Sequence, residues 1–342
     1  MENNDKTIVI GVPASPYTRK MLALLRYRRI PYKIIWGNAG EILEDMGLEV
    51  PKPLLLPVFI FHNEEKATCD STPIIRKLET QFEDRSAIPK DKALAFINYI
   101  LEDFGDEWVT KFMFHYRWHF EEDVNNAGNI LPLLHSVNLD NESHKHFKDH
   151  FSKHQINRLW VVGSNQKTAP IIEKSYQRLL GLLEKHFQNT PYLFGNRPSS
   201  ADFAIYGQMT QLIGFDPTSR ALALENSPRS VAWVDIMEDL SGLKVKEDGW
   251  VVLEEVHESL HDIFKEIGRG YVPAMIANAK ALSSNEDQWK TDIDGAEWEQ
   301  KAFPYQAKCL QWIKDEFSSL EVKDKNRVEN FLANTGCKDL VS

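Results

Sequence analysis

The hydrophobic pattern of the chain changes character once, near residue 85. Before that point, short apolar runs alternate with single helical stretches. TIVIGV, from Thr7 to Val12, is short and β-branched, which predicts a buried strand in a partly parallel sheet. After the turn ASP, a helix is predicted from Pro16. Proline costs little in a first turn, and Met21, Leu24 and Leu25 recur at helical spacing. It should stop near Arg29, ahead of Ile30-Pro31, and YKIIW (Tyr32 to Trp36) reads as a second strand. Strand, helix and strand within about 30 residues form a right-handed crossover unit. A short helix is expected around Glu41 to Met46. Next come a strand over Pro53 to His62, the turn HNEE and a short strand over Lys66 to Cys69, which together predict a hairpin. Ser71-Thr72-Pro73 then opens a helix containing Ile74, Ile75 and Leu78, with Ser71 as the candidate N-cap. The order is βαβ followed by ββα.

SAIPKDKAL, Ser86 to Leu94, is polar, contains a proline and separates two periodic regions, so the domain linker is expected there. Beyond it the spacing predicts helices near Leu94 to His119, Ser143 to Val162, Ile171 to Gln188, Ser200 to Ile213, Arg229 to Leu240, Trp250 to Phe264 and Tyr305 to Phe317. No strand alternation of any length is expected among them. DIDGAEWEQKAFPYQAK reads as a polar, acidic loop before the last helix, which carries Cys309, Leu310, Trp312 and Ile313. The expected division is an α/β domain over 1–85, an all-helical domain over 91–242 and a helical extension over 243–342. The Trp and Phe content of the extension requires burial. It either folds back over the helical domain and narrows a pocket there, or forms a dimer or partner surface.

With 342 residues, 42% of them hydrophobic and 26% charged, the chain has the composition of an ordinary globular protein of two domains. Net charge is −10 and no Lys/Arg block is long enough to neutralise a phosphate backbone, so nucleic acid is not an expected partner. The acidic, polar start MENNDKTIVIGVP has neither a secretory signal nor a membrane span, and a cytoplasmic protein is expected. Cys69, Cys309 and Cys337 are odd in number and lack metal-ligand spacing, which fits a reducing compartment without a disulfide framework or structural zinc site.

Four spaced features coincide in one order, and together they resemble the glutathione transferase superfamily. They are SPYT at Ser15 to Thr18, in the turn between the first strand and first helix; Leu56-Pro57-Val58; Asp70-Ser71; and Ser199-Ser200-Ala201-Asp202 within PYLFGNRPSSADFAIYGQM. The last has capping-box spacing and is a folding signal. The resemblance covers roughly the first 240 residues. It implies a thioredoxin-like α/β domain, an all-α domain of the glutathione transferase C-terminal type, glutathione as co-substrate, no metal, and a homodimer. It also implies that Ser15 contacts the sulfur, that Val58 beside a cis Leu56-Pro57 bond pairs with the cysteinyl part, and that Asp70 and Ser71 hold the γ-glutamyl end. The usual Lys or Arg close before the cis-Pro is missing: Leu54 and Leu55 occupy that stretch, and Lys52 is the nearest cation.

A free thiol with a pKa of about 8.5 is mostly protonated at neutral pH, and a transferase must stabilise its thiolate. At a helix N-terminus the Ser15 hydroxyl can donate to sulfur while the helix dipole favours negative charge. The alternative is that Ser15 only caps the helix, with Tyr17 or Thr18 reaching the sulfur. The second substrate, a small hydrophobic or aromatic electrophile, is expected between the domains near FMFHYRWHF (Phe112 to Phe120), with His115, Tyr116, Arg117 and His119 as candidate lining. A buried aromatic helix explains the same residues. His115 and His119, at i and i+4, lack an evident third metal ligand, and the row His146, His150 and His154 reads as a solvated face. The expected function is activation of glutathione for conjugation, ether cleavage, dehalogenation or isomerisation. The rival is a binding or scaffolding protein on the same fold.

Overall fold

A computed structural model describes residues 6–62, 64–246 and 248–342. The polar residues 1–5 and Asn63 of the expected HNEE turn fall outside the described residues, as does Glu247. The β-branched run forms β1 (Thr7–Gly11), followed by α1 (Pro16–Arg28), β2 (Tyr32–Trp36) and α2 (Ala39–Asp45). β3 (Val58–Ile60), β4 (Ala67–Thr68) and α3 (Ser71–Gln81) complete the α/β domain. The sheet has the order β2-β1-β3-β4; β1 runs parallel to β2, with Val9 opposite Ile34, and antiparallel to β3, with Ile10 opposite Val58. β3 is shorter than the Pro53 to His62 run because prolines at 53 and 57 have no N–H to give to a ladder. Asp70, not Ser71, occupies the N-cap of α3, and Ser71 is its first helical residue.

The helical half begins with α4 (Lys92–Phe104), which runs through a π-helical turn, Gly105–Val109, into α5 (Thr110–His119). The continuous helix expected from Leu94 to His119 is thus present, with one wide turn inside it. Gly105 sits where a Cβ would come within 3.1 Å of the Ala204 Cβ, so α9 approaches the wide turn closely. Then follow α6 (Glu121–His135), α7 (Asn141–Ile156), a 3-10 turn at Leu159–Val162, α8 (Ala169–Phe187), α9 (Ser200–Leu212), α10 (Pro217–Asn226) and α11 (Pro228–Met237). α6 was not expected; Pro132 inside it masks the helical pattern. α9 packs along α1 and joins the two halves, and at Gly207 an added Cβ would lie 2.5 Å from the Pro16 carbonyl oxygen.

The extension is not all helical. After α12 (Glu258–Arg269) and α13 (Tyr271–Ser283), the stretch expected as an acidic loop forms a hairpin, β5 (Gln288–Ile293) and β6 (Ala296–Lys301). Its tip is Asp294-Gly295 with φ of 55° and 79°, the conformation a two-residue hairpin turn requires. Trp289, Ile293 and Trp298 alternate inward and are buried. α14 (Pro304–Ser319) and α15 (Val322–Leu332) close the chain. The extension packs against the helices that precede it. Phe317 meets Phe96, Trp298 meets Trp108, and Tyr271 meets Phe104 edge-on.

The capping box at Ser199 and Asp202 is formed. The buried Asp202 carboxylate accepts from Ser199 N at 2.9 Å, Ser199 Oγ at 2.8 Å and Leu193 N at 2.9 Å. Replacing Asp202 with Ala leaves two buried N–H groups without partners and should destabilise the chain by about 2–4 kcal/mol, read by denaturant unfolding; a loss below about 0.5 kcal/mol contradicts this assignment.

Candidate functional site

A cavity of about 900 Å³ lies between the α/β domain and the helices that follow. One wall is the turn before α1 with Ala14, Ser15 and Tyr17; a second is the loop Pro53 to Leu56; a third is the start of α3, with Asp70, Ser71 and Thr72. The Leu56–Pro57 bond is cis, as the resemblance implied, and so is Lys52–Pro53. Leu56 faces the cavity. Pro57 and Val58 are buried and do not line it, because Val58 belongs to β3, paired with Ile10, and its side chain packs in the core beneath the sheet.

Ser15 is the N-cap of α1: its Oγ lies at the cavity wall and accepts from Thr18 N at 3.2 Å, and among the described residues its hydroxyl proton is uncommitted. Tyr17 also lines the cavity, but its hydroxyl donates to the Asp106 carbonyl at 2.7 Å, and burial raises its pKa well above that of a free phenol. Asp70 has φ of 84°, a conformation rare outside glycine that costs about 1–3 kcal/mol and therefore needs support from its surroundings. Its Oδ2 accepts from the Tyr305 hydroxyl at 2.9 Å.

Helical geometry divides the aromatic stretch into two faces. Thr110, Met113, Phe114, Arg117 and Trp118 point into the cavity. His115, Tyr116 and His119 do not line it; they turn to the opposite side, where Tyr116 packs on Tyr176 of α8. The expectation that these three line a substrate pocket is therefore corrected by the 3.6-residue period of the helix itself. Arg117 is at the cavity, but it is a buried brace. Its Nε and Nη2 grip both oxygens of Asp216 at 2.9 and 3.0 Å, Nη2 also reaches Gln211 Oε1 at 2.9 Å, and Nη1 lies 3.4 Å from the Ala14 carbonyl. Most donors of that guanidinium are thus held by the protein.

On the same face lie three carboxyls that sequence reasoning passed over, Asp103, Asp106 and Glu107. Spacing of i, i+3 and i+4 on an otherwise apolar helix was the available signal. Lys20 of α1 meets this row, wholly buried, with Nζ 3.0 Å from Glu102 Oε1, 2.6 Å from Asp106 Oδ2 and 3.1 Å from Ser71 Oγ. Burial pushes Asp106 up to about 6 against the pull of Lys20, and pushes Asp103 to about 7 and Glu107 to about 8, each raised further by its acidic neighbours. Burial also lowers Lys111, on the same wall, to about 8. The floor of the cavity thus holds its protons more tightly than exposed carboxyls would.

The last wall comes from the extension, whose lining residues the sequence reasoning did not name. Phe303, Tyr305, Lys308, Cys309 and Trp312 at and after the start of α14 face the cavity. Lys308 Nζ rests over the Trp312 ring at 4.3 Å. Burial raises the Cys309 thiol far above its ordinary value, helped by Asp103 and Glu107, so it remains a neutral thiol.

Comparison with known proteins gives two family models that together match just over half of the chain. These are the glutathione S-transferase N-terminal domain over residues 9–86 and the glutathione S-transferase C-terminal domain over residues 151–245. No curated protein matches. Among solved structures, the Tau class glutathione S-transferase of mango, Mangifera indica, is similar at 15% identity and a TM-score of 0.41, covering 68% of this chain and 89% of its own. A glutathione transferase family member from Pseudomonas fluorescens, solved with two glutathione bound, is similar at 17% identity and a TM-score of 0.44, covering 70% and 95%. A glutathione transferase from Pseudomonas putida, with one glutathione disulfide bound per subunit, is similar at 12% identity and a TM-score of 0.42, covering 70% and 93%.

The raised Asp103 gives a signed prediction. An ordinary Asp titrates near 3.9 when unfolded and Asp103 near 7 when folded, so between those values the folded chain holds the extra proton and stability falls as pH rises. Relative to the wild type, Asp103→Asn should gain thermal stability as pH is raised from about 5 to about 8; an unchanged difference across that range refutes the shift.

Proposed function

The chain belongs to the glutathione S-transferase family, and from that premise we propose that the cavity binds glutathione and holds its sulfur as thiolate for attack on a small hydrophobic electrophile. The observation that carries this reading is the uncommitted hydroxyl of Ser15 at the N-cap of α1. Its proton can be given to sulfur, and the first-turn N–H groups add positive potential on the same side. A drop of two units in the thiol pKa requires only about 2.7 kcal/mol of preference for the thiolate. Ser15 is a donor here, since a serine hydroxyl is a far weaker acid than the thiol and cannot take its proton. The proton leaves to water, the C–S bond forms, and the electrophile loses its leaving group or accepts a proton at the neighbouring carbon.

In this reading the Leu56 backbone, beside the cis bond, meets the cysteinyl part, while Asp70 and Ser71 at the start of α3 receive the γ-glutamyl ammonium and carboxylate. Tyr305 acts through Asp70, orienting its carboxylate from the extension. Lys308, which α14 brings to the cavity, supplies a cation that the loop before Pro57 does not. Phe114, Trp118, Phe147, Phe151 and Trp312 form an apolar wall suited to an aromatic or alkyl electrophile.

Ser15→Ala tests the reading. Followed by thiolate ultraviolet absorbance against pH, the pKa of bound glutathione should rise by about 1–2 units, and kcat/KM should fall about 10- to 100-fold. Glutathione affinity retained with both quantities unchanged removes Ser15 from the chemistry. Tyr305→Phe should raise the KM for glutathione about fivefold, the worth of one hydrogen bond, at unchanged kcat; an equal loss in kcat contradicts a role through Asp70.

A further inference from the structure

The two histidines that turn away from the cavity meet a third ligand type that the sequence did not reveal. His115 and His119 lie one turn apart at the C-terminal end of α5, and α8 sets Glu173 against them, so that one donor atom from each residue lies within 4.8 Å of the others. The His115 ring is fully buried; its Nδ1 is 2.8 Å from Ser164 Oγ, and among the described residues its Nε2 has no hydrogen-bond partner. That Nε2 faces Glu173 Oε1 at 3.5 Å. The His119 ring stacks on His115 with centroids 4.5 Å apart.

We propose that His115 Nε2, His119 and Glu173 bind one divalent transition-metal ion of the zinc type, which ties the end of α5 to α8 on the face opposite the cavity. With metal–nitrogen and metal–oxygen bonds of about 2.0–2.2 Å, the edge of a tetrahedral site is about 3.4 Å, close to the His115–Glu173 separation. Donation from Nδ1 to Ser164 would fix the tautomer and leave the Nε2 lone pair directed at a carboxylate oxygen, an arrangement that a cation between them stabilises. The partial negative charge of the α5 C-terminus favours positive charge at the same place. His119 is exposed and the Glu173 side chain is 32% exposed, which leaves an entry path and room for water in the remaining position. The site is separate from the glutathione chemistry and needs none of it.

The test is a titration of the metal-free full chain with Zn²⁺ in competition with a chromophoric chelator, together with thermal unfolding. The expected result is one tightly bound Zn²⁺ per chain, a rise in melting temperature on binding, and at least tenfold weaker binding in both His119→Ala and Glu173→Gln. Those positions are exposed or half-buried, so the metal-free variants should melt with the wild type, whereas His115→Ala removes a core ring. His146→Ala/His150→Ala, on the exposed row of α7, should bind as the wild type does. Absence of a stoichiometric site, wild-type affinity in His119→Ala and Glu173→Gln, or loss of the site in the α7 variant would each overturn the proposal.

Discussion

The buried ammonium of Lys20 is the interaction on which the rest of the site depends. It extends from α1 to Glu102 and Asp106 on the helix that opens the helical domain and to Ser71 at the start of α3, joining three walls of the cavity through one nitrogen. Breaking a buried ion pair by removing one partner typically costs about 3–5 kcal/mol, because the remaining charges stay out of water. Here the partners left behind would be two carboxylates in one desolvated row. The mutual position of the Ser15 turn and the Asp70 turn is thus set by a charge that no ligand needs to touch.

The π-helical turn at Gly105–Val109 works with that node. Asp103, Asp106 and Glu107, at i, i+3 and i+4, share the cavity face, and the wide turn carries the last two of them. The close approach of Ala204 to Gly105 holds the turn against α9, and α9 in turn packs on α1 through Gly207. Cavity, ion-pair node and domain contact are parts of one packing arrangement.

What the sequence made legible was local. β-branched runs, a proline at the start of α1, the capping box at Ser199 and the helical spacing of the second half each encode their conformation within a few residues, and the corresponding elements are present. The cis-Pro and Asp70-Ser71 segments were readable through family resemblance, since nothing in their local physics distinguishes them from ordinary loops. The long-range pairings were not legible: Tyr305 reaching back to Asp70, Lys20 meeting Glu102, and Glu173 facing His115 join residues far apart in the chain. The hairpin of β5 and β6 lies between these cases. Asp294-Gly295 with flanking alternation carried its signal, but the acidic composition of the stretch suggested a loop.

The extension, which the two family models do not cover, supplies a full wall of the cavity and buries its aromatic residues on α4 and the wide turn. Any ligand that fills the cavity therefore meets α14 as well as the glutathione transferase framework. The central claim, that this cavity takes glutathione as thiolate, is tested most directly by calorimetric titration of the full chain with glutathione in buffers of different ionisation enthalpy at neutral pH. The account predicts one saturable site per chain, tighter than about 1 mM, with release of a proton on binding. No binding at several times about 1 mM, or binding that releases no proton, contradicts it.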